Sequence, residues 1–454
     1  MADILIVGSG LVGSVLSIYL ARAGYRTLVF DRSVDYRRLN EVSDRSINLT
    51  LCERGLQALD RIGMAEEVLE ISVPVRGRVI HAPDGATCFQ PYGNNGEAIY
   101  SVSRNQLNRL LLNRASTFAN IELHFQEECV GLDLATTSLR VKDLVGGAES
   151  TFQSPHIFAA DGAFSAVRYF LQRRTGFNYS QTYSAQAYKE LSMPATATGD
   201  WPLEPNALHI WPRGHHMLIA FPNADRTFTC SLHMPCEGRG SHALLRSGKD
   251  VLRLFRNEFP DAVDLMPRLV DDYLRRPQTA MVTIRCSPWT IGEKVIFIGD
   301  AAHAIYPSYG QGANAGFEDC RILMECLERH GHSWKPALAE YQALRKVNTD
   351  AIADLSDRHF IELRDLVGDQ RFLLRKEVER RINKLYPDKF KDLYSMVTFT
   401  TMPYADAMKV DQRQKMLVDQ VLGSDDFEQL WRHNKIDAAI HQIMRAQELE
   451  PVSG

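Results

Sequence analysis

The chain of 454 residues contains no apolar run approaching the ~20 residues that a membrane-spanning helix requires. It also shows no secretory leader. Met1-Ala2-Asp3-Ile4-Leu5-Ile6-Val7 has no basic start, and its apolar stretch stops at Gly8, so it reads as a buried first strand. The C-terminal residues are polar, and no transmembrane anchor is expected. A basic excess is missing as well. Lys and Arg number 52 against 56 Asp and Glu, for a net charge of -4, which argues against a nucleic-acid partner. The eight cysteines are dispersed without a C-x-x-C pair, as expected of reduced thiols in a cytoplasmic protein. His215-His216 and His330-Gly331-His332 lack a third ligand at matching spacing, so no metal is expected. Internal repeats and low-complexity linkers are absent too. With 45% hydrophobic residues, the length suits two or three interleaved domains with a substantial core.

Against these absences stand three short segments. Gly8-Ser9-Gly10-Leu11-Val12-Gly13 follows an apolar run and opens a helical stretch that Gly24 ends. Thr27-Leu28-Val29-Phe30 reads as the next strand, with Asp31 and Arg32 at its end. Strand before and helix after are the context that the G-x-G-x-x-G pattern needs. Gly8 permits the tight turn, Gly10 lets backbone approach a pyrophosphate, and Gly13 lets helix and strand pack closely. The N-terminal end of the helix offers N–H groups to the anion. Asp31 can accept from a ribose 2'-hydroxyl and would repel a 2'-phosphate. The second segment, Asp161-Gly162, follows the buried strand His156-Ile157-Phe158-Ala159-Ala160. The third, Gly299-Asp300, follows Lys294-Val295-Ile296-Phe297-Ile298. An Asp at such a strand end can accept from a ribityl hydroxyl. Each dipeptide alone is an ordinary turn. Together with the N-terminal turn they describe one flavin adenine dinucleotide visited three times.

The rest of the chain predicts an α/β fold. Helices are expected over 56–70, 104–115 and 248–275, and strands alternate over 120–160 and 180–235. Leu208 to Pro212 and Met217 to Phe221 read as neighbouring strands joined at Arg213-Gly214. From Ala313 onward the pattern is mostly helical, including Asp411 to Leu422 and Ile436 to Leu449. The expected organisation has three parts. A Rossmann-like FAD-binding domain comprises 1–71, 95–175 and 281–340. A mainly antiparallel-sheet substrate domain comprises 72–94 and 176–280. A C-terminal helical region spans 341–454.

Several longer stretches carry a resemblance. They are Arg45-Ser46-Ile47-Asn48-Leu49, Val75-Arg76-Gly77-Arg78, Gln90-Pro91-Tyr92-Gly93, Ser103-Arg104-Asn105-Gln106-Leu107-Asn108, Tyr188-Lys189-Glu190-Leu191, Gly299-Asp300-Ala301-Ala302-His303 and Tyr394-Ser395-Met396-Val397-Thr398-Phe399. With them the chain resembles the kynurenine 3-monooxygenase family, within the flavoprotein aromatic hydroxylases of the p-hydroxybenzoate hydroxylase fold. The resemblance implies FAD as cofactor and NADPH and O2 as co-substrates. It implies hydroxylation beside a ring amine through a flavin C4a-hydroperoxide, with C-terminal helices covering the site. An aryl amine already donates electrons, so no catalytic side chain is required. The partners are then a small aromatic amino acid, NADPH and O2, with monomer and homodimer both open.

The resemblance also assigns residues. Arg78, Tyr92 and Tyr394 match a clamp for the substrate carboxylate, a task that suits the planar fork of arginine. Arg104 matches a cofactor-phosphate contact. Pro307, Gly310, Gln311, Gly312, Ala313 and Asn314 match the loop along the flavin. Departures cluster where the ring is expected. Ser308, Tyr309 and Ala313 replace part of a Pro-Phe-(His/Phe)-Gly-Gln-Gly-Met-Asn pattern. His359 stands in place of an Asn that helps hold the carboxylate, His233 in place of a Phe, and Phe221 in place of a Leu. Two readings of these changes stay open: local repacking around L-kynurenine, or a substituted kynurenine or other aromatic amino acid as substrate. A reductase of the same fold and a non-catalytic flavin-binding relative are the remaining alternatives. His303 is expected to cap or pack.

Overall fold

The computed structural model describes residues 2–38, 48–93, 96–362, 370–424 and 426–446. The apolar run Ile4–Val7 forms its strand and pairs in parallel on both sides, with His156–Ala159 and with Thr27–Asp31. All four of its residues are buried, as a parallel strand covered on both faces demands. The sheet has six strands in the order Thr290–Ile291, Val295–Phe297, His156–Ala159, Ile4–Val7, Thr27–Asp31, Ile121–Phe125. Thr290–Ile291 runs antiparallel to its neighbour and the other pairings are parallel. Parallel strands bring their carboxyl ends to one edge. Gly8, Asp31, Asp161 and Gly299 therefore meet there, where open α/β sheets take ligands.

A second sheet has seven strands in the order Thr279–Ser287, Asn178–Met193, Phe228–Pro235, Met217–Pro222, Ala207–Pro212, Gly77–His81, Thr87–Pro91. Only its Ala207–Pro212 pairing with Gly77–His81 is parallel. One face packs on the helices Gly248–Glu258, Pro260–Val263 and Leu269–Arg275. A single helix was expected there. Pro260 cannot continue the preceding helix and instead starts a new one. The helix expected over 56–70 is likewise two, Glu53–Arg61 and Ala65–Glu70, separated at Gly63 with φ +72°. Two small three-stranded sheets complete the β structure among the described residues.

Two strands run near the expected domain limits. Thr279–Ser287 crosses position 280 because its hydrogen bonding to Asn178–Met193 continues past it. Val73–Val75 joins the small sheet of Asn48–Leu51 and Ile99–Ser103, while Gly77–His81 enters the large one. Helices Trp334–Ile361, Gln370–Leu385, Leu393–Thr398, Tyr404–Leu422, Phe427–Arg432 and Ile436–Arg445 form the C-terminal region. Arg45, Ser46 and Ile47 of the first motif, and Leu449 at the expected end of the last helix, lie outside the described residues. Among the described residues no helix is long and apolar enough to cross a membrane.

Candidate active site

At the nucleotide edge, backbone approach sets the residue types. Gly8 has φ +101°, and a Cβ there would lie 2.4 Å from the Ala160 carbonyl oxygen. A Cβ on Gly13 would lie 1.9 Å from the Gly8 carbonyl oxygen. A Cβ on Gly10 would meet nothing within 4 Å, because this residue faces a cavity of about 520 Å³. Helix Leu11–Arg22 begins here without a side-chain cap, so its first-turn N–H groups are available to an anion. Asp31 is fixed across the turn. Its Oδ2 accepts from the Ser9 N–H (2.7 Å) and Ser9 Oγ (2.9 Å), and its Oδ1 from the Ser33 N–H (2.8 Å).

The other strand ends complete the wall. Asp161 Oδ2 accepts from the Val167 N–H at 3.2 Å, while Oδ1 is buried without a partner among the described residues. Burial raises the pKa of this carboxyl group. An orphaned acceptor here is suited to a hydroxyl donor. Leu11, Val12, Arg32, Arg104, Gly162, Asp300, Pro307, Gly310, Gly312 and Ala313 also line the cavity. Helix Gly312–Arg329 points its N-terminal end into it. The glycine cradle, the uncapped helix ends, the acid Asp31 at its strand end and the orphaned Asp161 oxygen fit FAD. Four expected cofactor residues act from behind the wall. Gly13 and Gly299 permit close packing, and Gln311 and Asn314 hold the loop. Asn314 Oδ1 accepts from the Cys52 N–H (3.0 Å), and its amide donates to the Thr50 and Gly310 carbonyls, both at 2.8 Å.

Arg78, Tyr92 and Tyr394 come together although strand Gly77–His81 and helix Leu393–Thr398 are far apart in sequence. The guanidinium carbon of Arg78 lies 5.3 Å from the Tyr92 ring centre and 4.8 Å from that of Tyr394. The two rings stack at 5.1 Å, and Tyr309 stacks on Tyr394 at 5.6 Å. Burial works against the charge on Arg78, and the two tyrosine oxygens outweigh it. His359 lies 4.4 Å from the Tyr309 ring, and its Nδ1 is 3.6 Å from Glu362 Oε2. Burial, with Arg78 adding repulsion, pushes His359 down to about 4, so it is neutral at neutral pH. These five residues border a second cavity of about 1030 Å³, lined by eight Arg and Lys against five Asp and Glu, a balance that draws anions inward.

The remaining ring-side candidates divide. Phe221 lines the nucleotide cavity with Tyr188 and Met281, as does exposed Pro307. His233 is buried between them and the clamp, 5.4 Å from the Tyr188 ring and 6.3 Å from Phe360. Ser308 turns away. Its Oγ donates to the Ser356 carbonyl at 2.6 Å, so its hydroxyl ties the loop to helix Trp334–Ile361.

A charged chain behind both sites has no signature in the sequence. Fully buried Arg54 donates to Glu318 (3.0 Å) and to the Val397 and Met402 carbonyls (3.3 and 2.8 Å), and its guanidinium lies 3.9 Å from the Tyr404 ring. Arg345 bridges Glu318 (2.5 Å) and Asp319 (2.6 Å). Asp319 in turn accepts from the Gly299 N–H (3.0 Å) and meets His303 Nε2 (2.5 Å). Tyr404 donates to Gln311 at 2.8 Å. The segment after helix Leu393–Thr398 is thereby tied to the Gly310–Asn314 loop and to the Gly299 turn. His303 both packs, against Trp289 at 5.1 Å, and pairs with this chain.

The FAD binding domain family matches residues 1–356. A protein of Flavobacterium johnsoniae named kynurenine 3-monooxygenase is 43% identical over 442 residues, covering 97% of this chain and 98% of its own. One of the same name from Anopheles gambiae is 39% identical, covering 92% and 86%. Among solved structures, p-nitrophenol 4-monooxygenase from Pseudomonas putida superposes with a TM-score of 0.67 at 16% identity, covering 90% and 98%. The tetrameric form of 2-methyl-3-hydroxypyridine-5-carboxylic acid oxygenase gives 0.64 at 22% identity, covering 81% and 93%. These two share the fold.

Proposed function

This chain belongs to the kynurenine 3-monooxygenases, FAD-dependent aromatic hydroxylases, and from that premise we propose that it converts L-kynurenine to 3-hydroxykynurenine with NADPH and O2 as co-substrates. The observation that carries the substrate assignment is the Arg78–Tyr92–Tyr394 cluster, a cation framed by two stacked rings across one apolar cluster from the flavin cavity. Bound FAD, reduced by NADPH, supplies the oxygen chemistry. Gly10, the first turn of Leu11–Arg22 and Arg104 would hold its phosphates, and Asp31 and Asp161 its hydroxyls.

The other residues bind, orient and shield. Arg78 meets both oxygens of the amino-acid carboxylate, and neutral His359 donates to it from the side. Tyr92 and Tyr394 fix the guanidinium by ring contact and hydroxyl polarity. Met217, Ile219 and Phe360 belong to the apolar cluster that separates the two cavities, and they would shield the reacting ring from water. No side chain need remove a proton to activate the ring, because the aryl amine donates electrons itself. All eight cysteines are unpaired thiols, which supports a reducing compartment, the cytoplasm.

The test is NADPH oxidation and O2 uptake with L-kynurenine, and product analysis by mass spectrometry. The expected result is oxygen consumption matched by a product heavier by one oxygen atom. Substrate-dependent NADPH oxidation that continues unchanged without O2 would instead identify a reductase. A yellow protein that never consumes NADPH would identify a non-catalytic relative.

A further inference from the structure

The sheet that carries Arg78 has two faces with different neighbours. Along Phe228–Pro235, Cys230, Leu232 and Met234 belong to the apolar cluster beneath the three short helices. Strand side chains alternate, so Ser231 and His233 point to the other face. The register agrees: His233 lies between Met217 and Tyr188, and Ser231 between Ile219 and Glu190. On that face one apolar cluster runs from Tyr92 and Tyr394 at the clamp to Tyr188, Phe221 and Met281 at the wall of the flavin cavity. On the preceding reading, a ring held by its carboxylate at Arg78, with its far end toward the flavin cavity, would lie along it.

His233 is the exception in this lining. It is 4% exposed, and its Nε2 meets Ser231 Oγ at 3.1 Å. Its Nδ1 is buried without a hydrogen-bond partner among the described residues. Burial, with His242 adding to it, pushes its pKa down to about 3, so the ring is neutral at neutral pH and one nitrogen is an acceptor. A phenyl ring would fill this space with no unmet nitrogen. A buried nitrogen that the protein leaves unpaired is destabilising unless a ligand completes it.

We infer that His233 is a specificity-determining residue: its Nδ1 accepts a hydrogen bond from the ring amino group of the substrate, and Ser231 fixes the tautomer by accepting from Nε2–H. This rests on the aryl-amine substrate of the preceding subsection. The amine gains positive character as the ring gives electrons to the incoming oxygen. An acceptor at that nitrogen therefore favours turnover as well as binding.

The experiment uses the FAD-loaded enzyme without NADPH. Dissociation constants are read from the change in flavin absorption for L-kynurenine and for its analogue with hydrogen in place of the ring amine. The native enzyme is expected to prefer the amine by about tenfold or more. His233→Phe should retain FAD and bind the two within about threefold, and Ser231→Ala should shrink the preference with the histidine still in place. No preference in the native enzyme overturns the proposal, as does a preference that both substitutions leave intact. A second pair, 4-aminophenylalanine and phenylalanine, separates the two levels. If L-kynurenine fails to bind but this pair shows the same His233-dependent preference, the role of His233 stands and the kynurenine assignment falls.

Discussion

Replacing Arg78 with methionine keeps an unbranched apolar stem against Tyr92 and Tyr394 and removes the charge. The fork can offer a carboxylate two charge-assisted hydrogen bonds, each worth about 1.5–3 kcal/mol net. Part of the second bond is offset by solvent and by the neutral donors that remain, His359 and the two tyrosine hydroxyls. A loss of about 3 kcal/mol follows, or roughly 100-fold in the dissociation constant for L-kynurenine. FAD content should stay normal, because Arg78, Tyr92 and Tyr394 border the clamp cavity and not the nucleotide cavity. Flavin absorption measures both quantities in one titration. A decarboxylated ligand, kynurenamine, supplies the control: it should bind the native enzyme and Arg78→Met about equally. If the substitution weakened both ligands to the same degree, the arginine would be supporting the pocket and not reading the carboxylate. If neither changed, the clamp would be refuted.

Four further outcomes are expected. Gly13→Ala should purify without flavin, since the new Cβ would lie 1.9 Å from the Gly8 carbonyl oxygen; a yellow variant with full FAD content contradicts this. Arg54→Met should cost about 2–3 kcal/mol in denaturant unfolding, because the Val397 and Met402 carbonyls lose their donor and Glu318 keeps Arg345 but loses Arg54; an unchanged midpoint contradicts it. Ser308→Ala should cost about 1 kcal/mol of stability and leave kynurenine affinity within about twofold, its hydroxyl being bound to Ser356; an altered substrate preference would show that the hydroxyl reaches the ligand. Stability should fall with pH between about 6.5 and 4. Burial holds His209, His242 and His359 at about 4 and His233 at about 3. Above 6.5 both folded and unfolded forms are neutral, and below it the unfolded chain takes up protons first, costing up to about 2 kcal/mol per histidine at pH 5. A thermal midpoint that stays level from pH 7 to 5 would contradict those shifts.

What could be read in the sequence was local. Gly8 and Gly13 are dictated by contacts within one turn and its neighbouring strand, whereas the break at Pro260 is missed because the helical pattern on either side of it reads as one helix. Arg78, Tyr92 and Tyr394 carry no shared period, and only the resemblance joined them. Arg54 and Glu318 are separated by 264 positions, so nothing nearby marks either as half of a pair. Ser308 shows a different gap. The resemblance placed it in a ring wall, but which way a short hydroxyl turns depends on the nearest carbonyl, and here that belongs to a helix 48 residues on. His233 stood out in sequence as a substitution, and only the strand register gave it a direction.

Because the nucleotide edge is assembled from strand ends at Gly8, Asp31, Asp161 and Gly299, a ribosome delivers its parts in widely spaced instalments. The pyrophosphate turn emerges early and the last wall late, with the whole seven-stranded sheet made in between. A nascent chain halted before Gly299 has three of the four strand ends that grip its vitamin-derived partner, so loading is completed after most of the polypeptide has already been shaped.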